Sequence, residues 1–516
     1  MIIRRKEGLL VTEYISTEDM AIIDENSSYL GIDTVLLMEN AGGQIAKVLI
    51  SKFDVKNKSI LIFAGTGNNG GDSFVFARHI CSKCKEVHLI LIGNPNKIRT
   101  NEAKTNWFAL QNMDFSIQID VIRDTSDFNT LQIGNHDIIV DALLGTGVRG
   151  KIREPVASAI KLINDLQGIK VAVDVPSGMN PDTGKVHEFA VKADITISFH
   201  KIKRGLTKNV QYTGEIIPVS IGIPPEAEFI VGPGDLRVIL KRRPAISHKG
   251  DFGKILIIGG GGGEYYSGAP ALAGLATLRT GADLVNIAAP SSVANVIRSY
   301  SPDLIVRDLP GDYLSEDSIA PLEALLEWAT AVVIGPGLGV QPETSEVILK
   351  LLERILILKR PVVVDADAIK AMAQNNTILR GVPGVITPHV GEYKILTGID
   401  LSKIKDTRER LRIVKESAKK LGVTLLVKGH EDLISDGVYA KINRTGTPAM
   451  TVGGTGDVLS GIVGCLLGQN YPPIRAANAG AFINGLAGEL AEKSFHGPHI
   501  TASDLINFIP KAMNLS

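Results

Sequence analysis

Along this 516-residue chain, short unbroken apolar runs alternate with stretches in which apolar residues recur every three or four positions. The runs SILIFA (59–64), VHLILIG (87–93), DIIVDAL (137–143), IKVAVDV (169–175) and ADITISF (193–199) read as strands buried on both faces, as in a parallel sheet. Between them lie helical segments. Ser16-Thr17-Glu18-Asp19 supplies a capping start, with Met20, Ile23 and Asp24 opening a periodic pattern; Leu36, Leu37, Ala41, Ile45 and Val48 carry a second helix over about Thr34–Ser51. A further helix is expected near Ala103–Gln111. After the prolines near Pro225–Pro233 the alternation resumes, with strands in KILII (254–258), ATAVVIG (329–335), RPVVVDADAI (360–369), GVITP (384–388) and VTLLVK (423–428). The pattern predicts an α/β protein of two doubly wound domains, each with a ligand crevice at the carboxyl ends of its strands. The expected division is a first domain over 1–225, a linker over 226–240 and a second domain over 241–516, in keeping with a length that exceeds a single core.

Composition narrows the partners. Lys+Arg and Asp+Glu each number 55 and cancel, so neither nucleic acid nor an acidic membrane surface is expected to bind. Three cysteines (Cys81, Cys84, Cys465) cannot build a disulfide framework and suit a reducing cytoplasm. Cys81 and Cys84 form a lone CxxC, two ligands short of a zinc site. The opening MIIRRKEGLL lacks the apolar core of a signal peptide, and no apolar run approaches the ~18 residues of a membrane span. A soluble, cytoplasmic protein is expected. The small-residue helix AANAGAFINGLAGELAEK (476–493) permits close packing between subunits, and a homo-oligomer is the expected assembly.

Polar residues collect just past the predicted strands. In the first half these are Asn68–Asp72 in GTGNNGGD, Asp141 with the glycine turn Gly145–Gly147, Asp174 and Ser177. Loop amides suit a phosphate, and the Asn, Asp and Ser oxygens suit a hard cation; a turn-capping role for Asp141 is equally open. The spacing is not GxGxxG and no acidic residue follows at the distance for a ribose, which speaks against an NAD-dehydrogenase site. In the second half a pentaglycine loop (259–263) follows a strand, His389 and Glu392 follow another, and Lys428 ends a third. The stretch PAMTVGGTGDVLSGIVGCLL (448–467) puts a glycine turn before an apolar helix. Unpaired amides and the helix dipole make an anion site there. Asp457 beside it is either a cap or a base for a hydroxyl moving toward a phosphoryl group.

The motifs NNGGD, VDALLGTG and DVPSGMNPDTG, continuing through KRGL (203–206) and GEIIPVSIGIP (214–224), resemble the amino-terminal domain of the NAD(P)H-hydrate epimerases over about residues 15–225. Ser73 stands where that family's loop is expected to carry glycine, a departure confined to local loop geometry. The resemblance implies a Rossmann-like domain holding potassium through Asn69, Asp141 and Ser177. It also implies that Asn68, Asn69, Gly70, Gly71 and Asp72, then Gly145, Thr146, Gly147, Val148, Arg149, Gly150 and Lys151, with Asp174, bind the hydrated dinucleotide. The hydrate is a hemiaminal, so losing and regaining water through an iminium inverts its ring carbon; Asp174 is the candidate acid–base group.

SHKGDFG (247–253), YSGAPALAGLATLRTGADLV (266–285), GPGLG (335–339), DADAI (365–369), TPHVGEY (387–393) and GGTGD (453–457) are in turn similar to the ADP- or ATP-dependent NAD(P)H-hydrate dehydratases, over about residues 235–512. That resemblance implies a ribokinase-like fold. It places Ala269, Gly337, His389 and Asp457 at the hydrated nicotinamide, and Lys428, Gly429, His430, Glu431, Asp432 and Gly456 at the adenine nucleotide. Asp457 would accept the ring hydroxyl's proton, with Mg²⁺ bridging the phosphates of ADP or ATP, before phosphate leaves and the dihydronicotinamide is restored.

Together the two resemblances imply one chain that repairs NADHX and NADPHX, epimerising the R and S hydrates and dehydrating the S form, with AMP and phosphate released when ADP is used. Two other readings stay open: a ribokinase-type small-molecule kinase with a regulatory N-terminal ligand-binding domain, and a first domain serving as an RNA-processing scaffold.

Overall fold

A computed structural model describes residues 13–147, 150–240, 243–262 and 265–514. The chain divides into two compact units, Leu10–Ala227 and Glu228–Ser516.

Among the described residues the first unit carries nine strands: β1 (Tyr14–Ile15), β2 (Ser59–Ala64), β3 (Glu86–Ile92), β4 (Gln118–Ile122), β5 (Ile138–Ala142), β6 (Ile169–Val173), β7 (Ile195–Phe199), β8 (Ile202–Lys203) and β9 (Glu215–Val219). Seven form one sheet in the order β4-β3-β2-β5-β6-β7-β9, parallel at every pairing. Strands β2 and β5 are buried along their whole length because helices cover both faces of the sheet. β4 is half exposed at the edge, and its polar QIDVI lacks the unbroken apolar run by which the other strands are recognised. The predicted first helix spans Thr17–Tyr29, and its cap works as expected, Ser16 accepting from the Asp19 amide at 3.0 Å. The strand order reverses between β2 and β5, so the loops after these two strands splay apart and leave a crevice between them.

The second unit adds β10 (Lys254–Ile258), β11 (Leu284–Pro290), β12 (Ile305–Leu309), β13 (Ala331–Ile334), β14 (Val362–Val364), β15 (Gly384–Ile386), β16 (Thr424–Val427), β17 (Asp432–Ser435) and β18 (Ala440–Asn443). The order is β12-β11-β10-β13-β14-β15-β16-β17-β18, parallel as far as β16 and antiparallel across β17 and β18. Its order reverses between β10 and β13, where the pentaglycine and GPGLG loops leave the sheet.

Two expectations change. The stretch 226–240 is not an open linker: it forms the helices Glu226–Phe229 and Pro233–Arg237, and the buried Asp235 carboxylate receives Lys441 at 2.8 and 2.9 Å and Asn478 at 3.2 Å. Proline here starts a helix, since its missing N–H is one the first turn leaves unpaired anyway. The small-residue helix, Pro473–Phe495, spends its glycines inside its own unit. A Cβ on Gly480 would sit 2.6 Å from Val463, and one on Gly488 2.2 Å from the Met450 sulfur. These glycines therefore serve close packing inside the unit.

Candidate active sites

In the first unit the crevice widens into a cavity of about 1030 Å³. Asn68, Asn69, Asp72, Gly145, Thr146, Gly147, Gly150, Lys151 and Asp174 line it, so most of the expected dinucleotide set converges. Gly70 and Gly71 lie within the helix Asn68–Ile80 and are absent from the wall. A Cβ on Gly70 would fall 1.9 Å from the Gly65 carbonyl oxygen, and one on Gly71 2.6 Å from the end of Met38. They are small because the helix start is pressed against its neighbours. Val148 and Arg149 lie outside the described residues.

Asn69, Asp141 and Ser177 meet at one buried point. Ser177 donates from Oγ to Asp141 at 2.6 Å and from its amide at 2.7 Å; Leu144 donates its amide to Ser177 Oγ at 2.9 Å, and Asn69 donates to the Leu144 carbonyl at 3.0 Å. Asp141 is 1% exposed, and burial pushes its carboxyl up to about 6 despite the hydrogen bonds from Ser177 and Leu143 that favour its charge. Those partners are neutral, so this is a desolvated carboxylate short of positive charge, among hydroxyl, amide and carbonyl oxygens. A monovalent cation fits that donor set.

Asp174 follows β6 with φ 63°, a strained conformation for a residue with a side chain, which turns its carboxylate toward the cavity. Its Oδ1 accepts the Phe199 amide at 3.0 Å and the ammonium of Lys203, which is fully buried and also donates to the Phe199 carbonyl at 2.8 Å. One carboxylate oxygen is thereby committed. Four more carboxyls share this wall: Asp72, Glu102, Glu154, and Asp24 of the helix Thr17–Tyr29. Neither Lys203 nor Asp24 stands out among strand-end motifs. The available clue was a carboxylate on the same helical face as the apolar Met20 and Ile23, an arrangement that needs a reason when buried.

In the second unit Ala269, Gly337 and Asp457 line one cavity of about 690 Å³ with Tyr266, Asp367 and Lys370. Asp457 sits in the first turn of the helix Thr455–Gly468, whose preceding Gly454 has φ 94°. Burial pushes its carboxyl up to about 7, helped by Asp365 and Asp367 and opposed by Lys428. Lys428 donates to Asp365 at 2.9 Å, and a Cβ on Gly456 would meet its Nζ at 3.2 Å, so Lys428 and Gly456 do come together. Burial disfavours the Lys428 charge, yet Asp365, Glu392 and Asp457 together raise its pKa. DADAI works through a strained Ala366 (φ 47°) that separates its two carboxylates: Asp365 takes Lys428, and Asp367 accepts the Gly339 amide at 2.9 Å and Lys370 at 2.8 Å.

The remaining expected residues serve local structure as well. His389 caps the helix Val390–Thr397, accepting the Gly391 and Glu392 amides on Nδ1 at 3.0 and 3.3 Å, and pairs with Lys428 across a parallel bridge; it is not on the cavity wall itself. Gly429 and His430 are exposed at the tip between β16 and β17. Glu431 is turned toward Thr407 and Arg444 at 2.7 and 2.8 Å. Asp432, pushed up to about 6 by burial, accepts from the Gly429 amide and Asn443. These last two acids brace the hairpin.

Two doubly wound sheets, each with a carboxylate-bearing cavity near its switch point, define a two-site α/β enzyme. The NAD(P)H-hydrate dehydratase family matches residues 255–511, and the YjeF-related protein N-terminus family matches residues 35–205. The bifunctional NAD(P)H-hydrate repair enzyme Nnr of Pyrobaculum aerophilum is 46% identical over 97% of this chain and 98% of its own length. That of Methanothermobacter thermautotrophicus is 43% identical over 96% and 94%. Among solved structures, the ADP/ATP-dependent NAD(P)H-hydrate dehydratase from Bacillus subtilis, co-crystallized with ATP/Mg²⁺, is 26% identical with a TM-score of 0.45, over 55% of this chain and 96% of that one. The chain belongs to the bifunctional NAD(P)H-hydrate repair enzymes, with a ribokinase-like second unit. Among the described residues no helix is long and apolar enough to cross a membrane.

Proposed function

We propose that the two units divide one repair. The first interconverts the R and S hydrates of NADH and NADPH, and the second dehydrates the S form with ADP (or ATP), releasing AMP and phosphate when ADP is used. The carrying observation is Asp457, which stands at a helix N-terminus beside Lys428 and Gly456 and shares a cavity with Ala269 and Gly337.

In the second unit Asp457 takes the proton of the ring hydroxyl as that oxygen attacks the terminal phosphoryl group. The amides of the 453–456 turn and the Lys428 ammonium hold the transferring charge; phosphate then departs from the ring carbon, pushed by the ring nitrogen's lone pair, and the neighbouring ring carbon gives up a proton to the departing phosphate or to water as the double bond forms. Asp365 keeps Lys428 aimed. Lys428, Gly429, His430, Glu431, Asp432 and Gly456 form the nucleotide side, and His389 flanks the nicotinamide. Mg²⁺ supplied with the nucleotide would neutralise phosphate charge, with Asp367 as the cavity carboxylate available to such an ion.

In the first unit the dinucleotide phosphates lie against Asn68 and Asn69 and against Gly145, Thr146, Gly147, Gly150 and Lys151. Asp174 receives the ring hydroxyl on its uncommitted oxygen, among the charged groups around Lys203. Potassium held by Asn69, Asp141 and Ser177 would tie the loops after β2 and β5 together. Three free cysteines suit a reducing cytoplasm, and the assembly is taken to be a homo-oligomer.

The test is to incubate the full chain with a mixture of R and S NADHX, ADP and Mg²⁺ and follow absorbance of restored NADH. Complete recovery supports both activities, recovery of only the S fraction removes the epimerase, and none removes the repair reading. Asp174→Asn retaining full epimerisation would take that residue out of the chemistry.

A further inference from the structure

Four charged side chains from four separate elements face one another in the first unit's cavity: Asp24 from the helix Thr17–Tyr29, Asp72 from the helix Asn68–Ile80, Asp174 after β6 and Lys203 of β8. Lys203 and Asp174 form an ion pair. The other two carboxyls accept no hydrogen bond from any described residue, although Asp72 is only 9% exposed. Carboxyls without partners in a poorly solvated wall are costly unless they carry protons or work on a ligand, and these two, Asp72 buried and Asp24 half-buried, open onto the space where the dinucleotide is placed.

We propose that Asp24 and Asp72 are the epimerase's proton-transfer pair, Asp72 giving a proton to the departing hydroxyl and Asp24 taking one from the water that returns, around the fixed Lys203–Asp174 ion pair. This rests on the epimerase reading of the first unit. In the forward step the C–O bond breaks as Asp72 protonates the oxygen. Water leaves, the ring nitrogen's lone pair forms the iminium, and Asp72 becomes a carboxylate. Water then adds to the opposite face, its electron pair forms the new C–O bond, its proton passes to Asp24, and the iminium electrons return to nitrogen. Transfer of that proton from Asp24 to Asp72 restores the starting state, so no oxidant or reductant is consumed. Asp174, with one oxygen held by Lys203 and the Phe199 amide, is better suited to setting the field and orienting the hydroxyl.

The electrostatics agree with this division. Burial raises Asp72 well above its ordinary value, with Asp174, Asp24 and Glu102 adding to the rise and Lys203 opposing it. Burial also pushes Asp24 up to about 7, opposed by Lys203 and reinforced by Asp174. Arg99, Glu102, Lys151, Arg153 and Glu154 are further charged groups on the same wall. With both carboxyls raised and Asp24 titrating near neutral pH, the pair is suited to passing a proton in both directions.

The experiment uses the full chain with resolved R-NADHX, without nucleotide, and follows appearance of the S epimer. Asp24→Asn and Asp72→Asn are expected to lower kcat about 100-fold or more, with KM little changed and Asp24→Glu recovering part of the rate. Wild-type kcat/KM should rise with pH through about 7, as Asp24 ionises, and Asp24→Asn should lose that limb. A purely structural Asp24 would move KM or stability and leave the limb in place. If wild type epimerises while Asp24→Asn keeps its rate within a few-fold, or keeps the limb, the inference is overturned; if wild type does not interconvert the epimers, the epimerase reading itself fails.

Discussion

Lys428 and Asp365 stand 2.9 Å apart at the ends of strands that are not sheet neighbours, with β15 between them. The pair crosses the mouth of the second unit's sheet and brings a cation against the backbone of Gly456, one residue before Asp457. Asp365 is 1% exposed, so removing its partner leaves a buried charge. Lys428→Met should destabilise the second unit by about 3 kcal/mol, and Lys428→Met with Asp365→Asn should recover most of that loss. Denaturant unfolding of both variants tests the coupling, and both should bind the nucleotide weakly even where stability returns.

Asp457 carries a pH signature. Its carboxyl is raised to about 7 in the folded chain, so the native state holds this proton more tightly than the unfolded chain does. The sign follows: its contribution to stability is greatest at low pH and declines as pH rises from about 4 to about 7. Asp457→Asn should therefore gain stability relative to wild type between pH 5 and pH 8 while losing dehydration by about 100-fold or more. Thermal unfolding across pH checks the first part and NADH recovery the second. A wild-type dehydration rate that is flat in pH from about 6 to 8 would remove Asp457 as base.

Potassium should act on the stability of the first unit as well as on its rate. At a free concentration 100 times its Kd a cation bound only by the folded state adds about 2.7 kcal/mol. Melting in KCl should exceed melting in choline chloride of equal ionic strength, and Asp141→Asn should abolish the difference. No difference in wild type would leave the Asn69, Asp141 and Ser177 cluster as a hydrogen-bonded turn.

Gly67 and Gly70 separate loop chemistry from packing. A Cβ at Gly67 (φ −99°) meets nothing within 4 Å, whereas at Gly70 it lies 1.9 Å from the Gly65 carbonyl oxygen. Gly67→Ala should leave the melting temperature nearly unchanged, and Gly70→Ala should cost about 3 kcal/mol through a clash with backbone that cannot swing away. Equal melting temperatures would contradict the packing role of Gly70.

The hydrophobic pattern alone identified most of the strands and the parallel architecture, because a strand buried on both faces must be apolar throughout. Glycine turns with polar residues at strand ends likewise singled out Asn69, Asp141, Asp174, Ser177, Lys428 and Asp457, of which Asn69, Asp174 and Asp457 line the two cavities. The pattern did not separate glycines that face a ligand from Gly70 and Gly71, which accommodate neighbouring backbone and side chain. Nor did it show that the small residues of Pro473–Phe495 pack inside their own unit.

What only the tertiary structure decided is which charges meet. Lys203 and Asp174 are neighbours because β7 and the turn before β8 return the chain to the end of β6, and Asp24 joins them from a helix about 150 residues earlier in the sequence. Such pairings depend on crossing distances in space, which no local periodicity encodes. The low dielectric that makes them matter exists only once both helices and sheet have closed over the site.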